Sequence, residues 1–161
     1  MEMRPIRRVY LDTNTYCRPL DDQKDRRINA ETDAFLKIID MAEKDEITII
    51  SSDYVKFEIE LIQNNLKRKD IRSFERILSK TNVTSSRRLI ILAREFSSKC
   101  HIGSLDALHL AAACIGKSDF LLTCDDKITE NTACIEKLAT SKGYKLKVRN
   151  PINYIKQKNE D

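Results

Sequence analysis

The chain has 161 residues, 34% charged and 41% apolar, with 29 Lys plus Arg against 25 Asp plus Glu and a net charge of +4. That length predicts one domain over 1–161, able to bury roughly 70% of the surface its unfolded chain exposes. The composition excludes a disordered chain, no stretch approaches the roughly 20 apolar residues of a membrane span, and so modest a basic excess does not by itself imply nucleic acid.

Arg4, Arg7 and Arg8 precede only a brief apolar run, so no signal peptide is expected. Residues 7–12, "RRVYLD", predict a buried strand that ends on a carboxylate, followed by a polar loop to about 27. From 28 to about 44 apolar residues recur at Ala34, Phe35, Ile38, Ile39 and Ala42, the spacing of a helix. "ITII", 47–50, is a β-branched run and predicts a second strand. A helix over about 52–65 follows, with Ser52 as its cap.

Two helices rich in basic residues are expected over 67–80 and 85–100. The first carries Lys67, Arg68, Lys69, Arg72 and Arg76, the second Arg87, Arg88, Arg94 and Lys99. "SLDALHLAAACIG", 104–116, is apolar almost all round and predicts a buried helix opened by Ser104 and closed near Gly116. "FLLT", 120–123, predicts a third strand running into Asp125 and Asp126. A helix over 128–141, a strand over 145–148 and a short C-terminal helix complete the chain.

Strands alternating with helices predict a parallel sheet covered on both faces. Ligands of such sheets bind beyond the carboxyl ends of the strands. Asp12 and Asp125 each fall at such an end.

Two further acids stand in apolar surroundings. Glu58 shares a helix face with Tyr54, Val55, Leu61 and Ile62, so its carboxylate must be paired, metal-bound or protonated. A Glu at the margin of that stripe, paired with an Arg or capping a neighbouring helix, is the competing reading. Asp106 opens the buried 104–116 helix, where the helix dipole favours an Asp whatever its function. Asp125 and Asp126 equally suit a turn that caps the next helix.

Brought together, four carboxylates repel by about 4 kcal/mol per pair at 4 Å and an effective dielectric near 20. One or two divalent cations remove that cost. All-oxygen ligands favour Mg²⁺ or Mn²⁺, and such a site suits phosphodiester hydrolysis. His109 lies one turn beyond Asp106 and can approach the cleft; like His101 it is read as a packed or surface histidine and given no role. Tyr16 and Arg18, just past Asp12, are placed at the cleft to meet substrate.

"VYLDTN", "SSDYVKFE", "LDALHLAAA" and "FLLTCDD", in that order across 9–126, resemble the PIN-domain ribonucleases, which include the VapC-type toxins. The resemblance implies a Rossmann-like α/β/α sandwich with a central parallel sheet and an acidic Mg²⁺ or Mn²⁺ site that cuts RNA. By motif, Asp12, Glu58, Asp106 and Asp125 match the four acids, as catalytic and metal-holding residues. Asn14 and Thr123 match the polar residues that support them. Asp126 is an extra acid beside the fourth position, and Glu60 a weaker candidate for the second. The resemblance also implies a homodimer and, for a toxin, an inhibitory antitoxin. On this reading the basic helices hold RNA phosphates.

Two rival functions remain open on the residues alone. A catalytically silent PIN-fold module would bind RNA or protein with its acids lost, whereas here all four are present. A phosphatase with a nucleophilic Asp typically shows D-x-D after the first strand, whereas this chain has Asp12-Thr13-Asn14. Five cysteines without a C-x-x-C pair predict a reducing, cytoplasmic setting and no zinc site.

Overall fold

The computed structural model describes residues 5–160. Five strands, β1 (Arg7–Leu11), β2 (Ile47–Ser52), β3 (Ser79–Val83), β4 (Phe120–Leu122) and β5 (Lys147–Arg149), form one sheet ordered β3-β2-β1-β4-β5. Every pairing is parallel, with Val9 opposite Ile49 on one side of β1 and Phe120 on the other. The helices are α1 (Thr13–Cys17), α2 (Arg26–Glu43), α3 (Asp53–Glu60), α4 (Asn65–Leu78) and α5 (Arg87–Cys100), then α6 (Ser104–Ile115), α7 (Asp126–Thr129), α8 (Thr132–Ser141) and α9 (Pro151–Glu160). The expected α/β architecture is the one observed.

The crossover connections divide the helices between the two faces of the sheet. On one, α2 packs with α4 and α9; on the other, α5 packs with α6 and α8. Helix α6 lies flat in the core because its small side chains permit close approach: Ala107, Ala111, Ala112, Ala113 and Cys114 are all buried. At its end, a Cβ on Gly116 would come within 2.7 Å of Val83 Cγ2 and 3.0 Å of Ile50 Cγ2, so only glycine fits that contact. The chain moves outward from β1 to β2 and β3, then returns to β4 on the other side of β1. The carboxyl ends of β1 and β4 therefore flank the switch point where a ligand crevice forms.

Several elements differ from expectation. The loop expected after Asp12 holds α1 and a 3₁₀ turn, Arg18–Leu20. Strand β3 falls where the 67–80 helix was expected to end: "SKTNV" has a single buried apolar residue, Val83, and this edge strand is held by its backbone pairing to β2. The helix expected over 52–65 stops at Glu60, which leaves Leu61 60% exposed rather than in the apolar stripe. The stripe is Val55 and Ile59, and Glu58 lies at its margin. The helix expected over 128–141 is two, α7 and α8. Helix α6 is capped by Gly103, with Ser104 as its first residue.

Cys114 and Cys124 are buried free thiols, which burial pushes up to about 12. Cys100 and Cys134, read from sequence as part of a reduced set, instead form a disulfide that ties the end of α5 to α8. No described helix is long and apolar enough to cross a membrane.

Candidate metal centre

Asp12 is the first residue beyond β1 and is 4% exposed. Its backbone N–H still donates to Leu122 O (3.0 Å), so the sheet itself fixes where the carboxylate emerges. Thr13 N–H donates to Oδ1 (2.8 Å), which makes Asp12 the cap of α1. The Thr123 hydroxyl (2.7 Å) and Asn14 Nδ2 (3.2 Å) donate to Oδ2.

Asn14 locks the two strand ends together. Its Nδ2 also donates to Thr123 Oγ1 (3.1 Å), and its Oδ1 accepts from Cys124 N–H (3.0 Å). Asn14 and Thr123 thus hold the first acid in place.

Ser52 ends β2 and caps α3, accepting from Tyr54 N–H (3.2 Å) and Val55 N–H (3.3 Å). That cap aims α3 so that Glu58 reaches the crevice, where Oε1 accepts from Thr13 Oγ1 (3.3 Å) and meets His109 Nε2. His109 Nε2 also stands 3.8 Å from Asp12 Oδ1. One ligand atom each from Asp12, Glu58 and His109 falls within 4.8 Å of the others.

Asp106 and Asp125 stand outside that tight group but within its field. Burial pushes Asp106 up to about 6, with the charges of Asp12, Asp125 and Glu58 adding to the rise and His109 opposing it. Burial likewise raises Asp12 above the usual carboxylate range, against the pull of His109 and the Thr123 hydroxyl. Burial alone would depress the His109 imidazole, but Asp12, Glu58 and Asp106 outweigh it and hold it above its ordinary value.

Asp125 caps α7 by accepting from Lys127 N–H (2.9 Å), and its own N–H donates to Thr123 Oγ1 (3.1 Å). Asp126 is turned away and grips Arg27, with Oδ2 2.7 Å from Nη1. Glu60 is exposed and accepts two bonds from Arg72 (2.9 and 2.8 Å).

Two residues placed at the cleft from sequence are elsewhere. Tyr16 is fully buried against Phe35, because α1 turns its ring into the core. Arg18 is tied to Glu31 (2.8 Å) and Asp21 (2.7 Å). The basic residues of α4 are largely engaged as well: Lys67 with Asp21, Arg68 with Ile62 O and Asn65, and Arg72 with Glu60.

Sequence reasoning gave His109 no role, yet it sits at the centre of the cluster. The available signal was its i+3 spacing from Asp106 on a helix otherwise apolar, which puts both polar groups on one face. Glu31, fully buried on α2, was not singled out.

Among the described residues, no Lys or Arg forms an ion pair with Asp12, Glu58, Asp106 or Asp125. A set of carboxylates with no Lys or Arg partner and His109 as the one basic group among them, one acid being pushed up to about 6, is suited to a hard divalent cation. A family model described as PIN domain matches residues 9–133, a span that holds all four acids. No curated protein matches the chain.

Proposed function

The chain belongs to the PIN-domain family, and on that premise we propose that it is an endoribonuclease that hydrolyses RNA phosphodiester bonds with Mg²⁺ or Mn²⁺. The observation that carries this reading is the buried Asp12 grouped with Glu58, with Asp106 within reach of both charges and neither Lys nor Arg paired with them.

Asp12, Glu58, Asp106 and Asp125 are the residues that would hold the cation. Bound there, it would supply an activated water for in-line attack at phosphorus and charge for the leaving oxygen. Asp12 contributes a carboxylate already oriented by Thr13, Asn14 and Thr123, so little reorganisation accompanies binding. Thr13 orients Glu58 from the other side of the crevice. Asp125 is supported as the fourth acid by its influence on Asp106, whereas Asp126 is already paired with Arg27.

The motif order resembles VapC-type toxins, and the finer reading is a cytoplasmic toxin of a type II pair, a homodimer held by an antitoxin. Phe57, Leu61 and Leu66 support a protein contact, since they expose apolar area around the turn between α3 and α4. A short overlapping upstream gene for a small DNA-binding protein is expected on this reading.

The test is a calorimetric titration with Mn²⁺ beside cleavage assays on single-stranded RNA and DNA of one sequence. Wild type is expected to bind Mn²⁺ and cut RNA, and Asp12→Asn to do neither while unfolding as cooperatively as wild type. A folded wild type that binds RNA but no Mn²⁺ identifies a silent binding module instead.

A further inference from the structure

A chain of buried hydrogen bonds runs up to the acidic cluster from beneath it. Tyr10 and Asp12 are two residues apart, so the period of the strand puts both side chains on one face of the sheet. Tyr10 is fully buried, and its hydroxyl lies 2.6 Å from Ser52 Oγ and 2.6 Å from His109 Nδ1. The opposite ring nitrogen, Nε2, meets Glu58.

Counting donors and acceptors gives this chain a direction. Ser52 Oγ already accepts two backbone N–H bonds at the start of α3, so its own proton goes to the Tyr10 oxygen. The Tyr10 proton then needs an acceptor, and His109 Nδ1 is the one within reach. With Nδ1 accepting, Nε2 carries hydrogen and donates to the Glu58 carboxylate, which can only accept.

We propose that His109 is a positioning residue, held by the Ser52–Tyr10 relay with its Nε2–H toward Glu58, rather than a ligand of the metal. The inference rests on the metal reading of the acids above and assigns a role to the one cluster member that is not a carboxylate. Coordination through Nε2 would require its lone pair and hence a hydrogen on Nδ1, which would reverse the Tyr10–His109 bond and turn the Tyr10 proton onto Ser52 Oγ, already the acceptor of two backbone N–H bonds. The relay also explains why Ser52 is fully buried: it ends the strand, caps the helix that carries Glu58, and sets the polarity of the bonds that orient Glu58. Outer hydrogen bonds of this kind commonly change metal affinity by about 10–100-fold when lost.

Two measurements on the full chain test it. In the first, ¹⁵N spectra of the imidazoles are recorded without metal and with Mg²⁺, the His109 signals being those absent from His109→Gln. Hydrogen on Nε2 in both conditions is expected; an Nε2 that loses its hydrogen and shifts on Mg²⁺ addition overturns the proposal.

In the second, Mn²⁺ affinity is measured by calorimetry for Tyr10→Phe, His109→Ala, His109→Gln and Tyr10→Phe with His109→Ala. His109→Ala is expected to weaken binding about tenfold, Tyr10→Phe several-fold, and the double variant no more than His109→Ala alone. His109→Gln, which keeps an N–H donor, is expected to recover part of the loss. Multiplying losses, or a Tyr10→Phe protein that binds as wild type does, overturn the relay. If wild type itself binds no Mn²⁺, the metal reading fails, whereas the position of the imidazole hydrogen is still read from the first measurement.

Discussion

Thr123 donates its hydroxyl to Asp12 across 2.7 Å although 111 residues separate them in the chain. The bond joins the residues that follow two adjacent parallel strands, β1 and β4, and it is the shortest described contact of the first acid. Thr123→Val keeps the shape and removes the donor, leaving a buried carboxylate short of a partner. The variant is expected to lose about 1–2 kcal/mol of stability and to bind Mn²⁺ more weakly, as read by urea unfolding and calorimetry. An unchanged midpoint and affinity would show that Asn14 and Thr13 suffice.

Asp106→Asn is expected to stabilise the metal-free protein in a pH-dependent way. The folded-state pKa is raised from 3.8 to about 6, so the folded chain holds this proton more tightly than the unfolded chain does. Wild-type stability therefore falls as pH rises through that window, and the penalty is complete above it. The advantage of the Asn variant is expected to be small at pH 4 and full at pH 7. Urea midpoints at the two pH values measure it, and an equal gain at both contradicts the shift.

Glu31 is fully buried and receives bonds from Arg18 Nε (2.8 Å), Arg27 Nε (3.3 Å) and Asn150 Nδ2 (2.6 Å). It fastens α2 to the turn after α1 and to the start of α9. Glu31→Ala leaves the buried Asn150 amide without its acceptor and Arg18 with Asp21 alone, and is expected to cost about 3 kcal/mol, seen as a lower urea midpoint. Glu31→Gln, which keeps an acceptor for Asn150, is expected to cost less.

Arg94 lines an open cavity with Ser104 and Ala107, beside the start of the helix that carries Asp106. No described ion pair engages it, in contrast to Arg72. Arg94→Ala is expected to weaken RNA binding severalfold and to lower the slope of its salt dependence by about one. Arg68→Ala with Arg72→Ala, whose guanidinium groups are tied to α3 and its following turn, is expected to change that slope less. Filter binding at several salt concentrations separates the two.

The strands that end in Asp12 and Thr123 and the apolar helix around Asp106 were legible in the sequence because burial writes itself into periodic apolar residues. The same logic failed where structure is held by other means. Strand β3 is an edge whose partner is backbone, so "SKTNV" carries almost no apolar signal. Tyr16 follows Asp12 closely, but whether a side chain faces cleft or core there depends on a helix of five residues that no periodicity announces. His109 and Glu31 are polar residues buried by their partners. Those partners, Tyr10 for the one and Asn150 for the other, are close only after folding.

The bond between Cys100 and Cys134 closes a covalent ring around a separation of 34 residues. Asp106, His109, Thr123 and Asp125 all ride on that ring, while Asp12 and Glu58 come from outside it. Half of the crevice is thus threaded on a closed circle of chain. A protease that nicks any peptide bond within the circle leaves its two ends tethered, whereas a thiol reductant turns the same nick into a severed molecule.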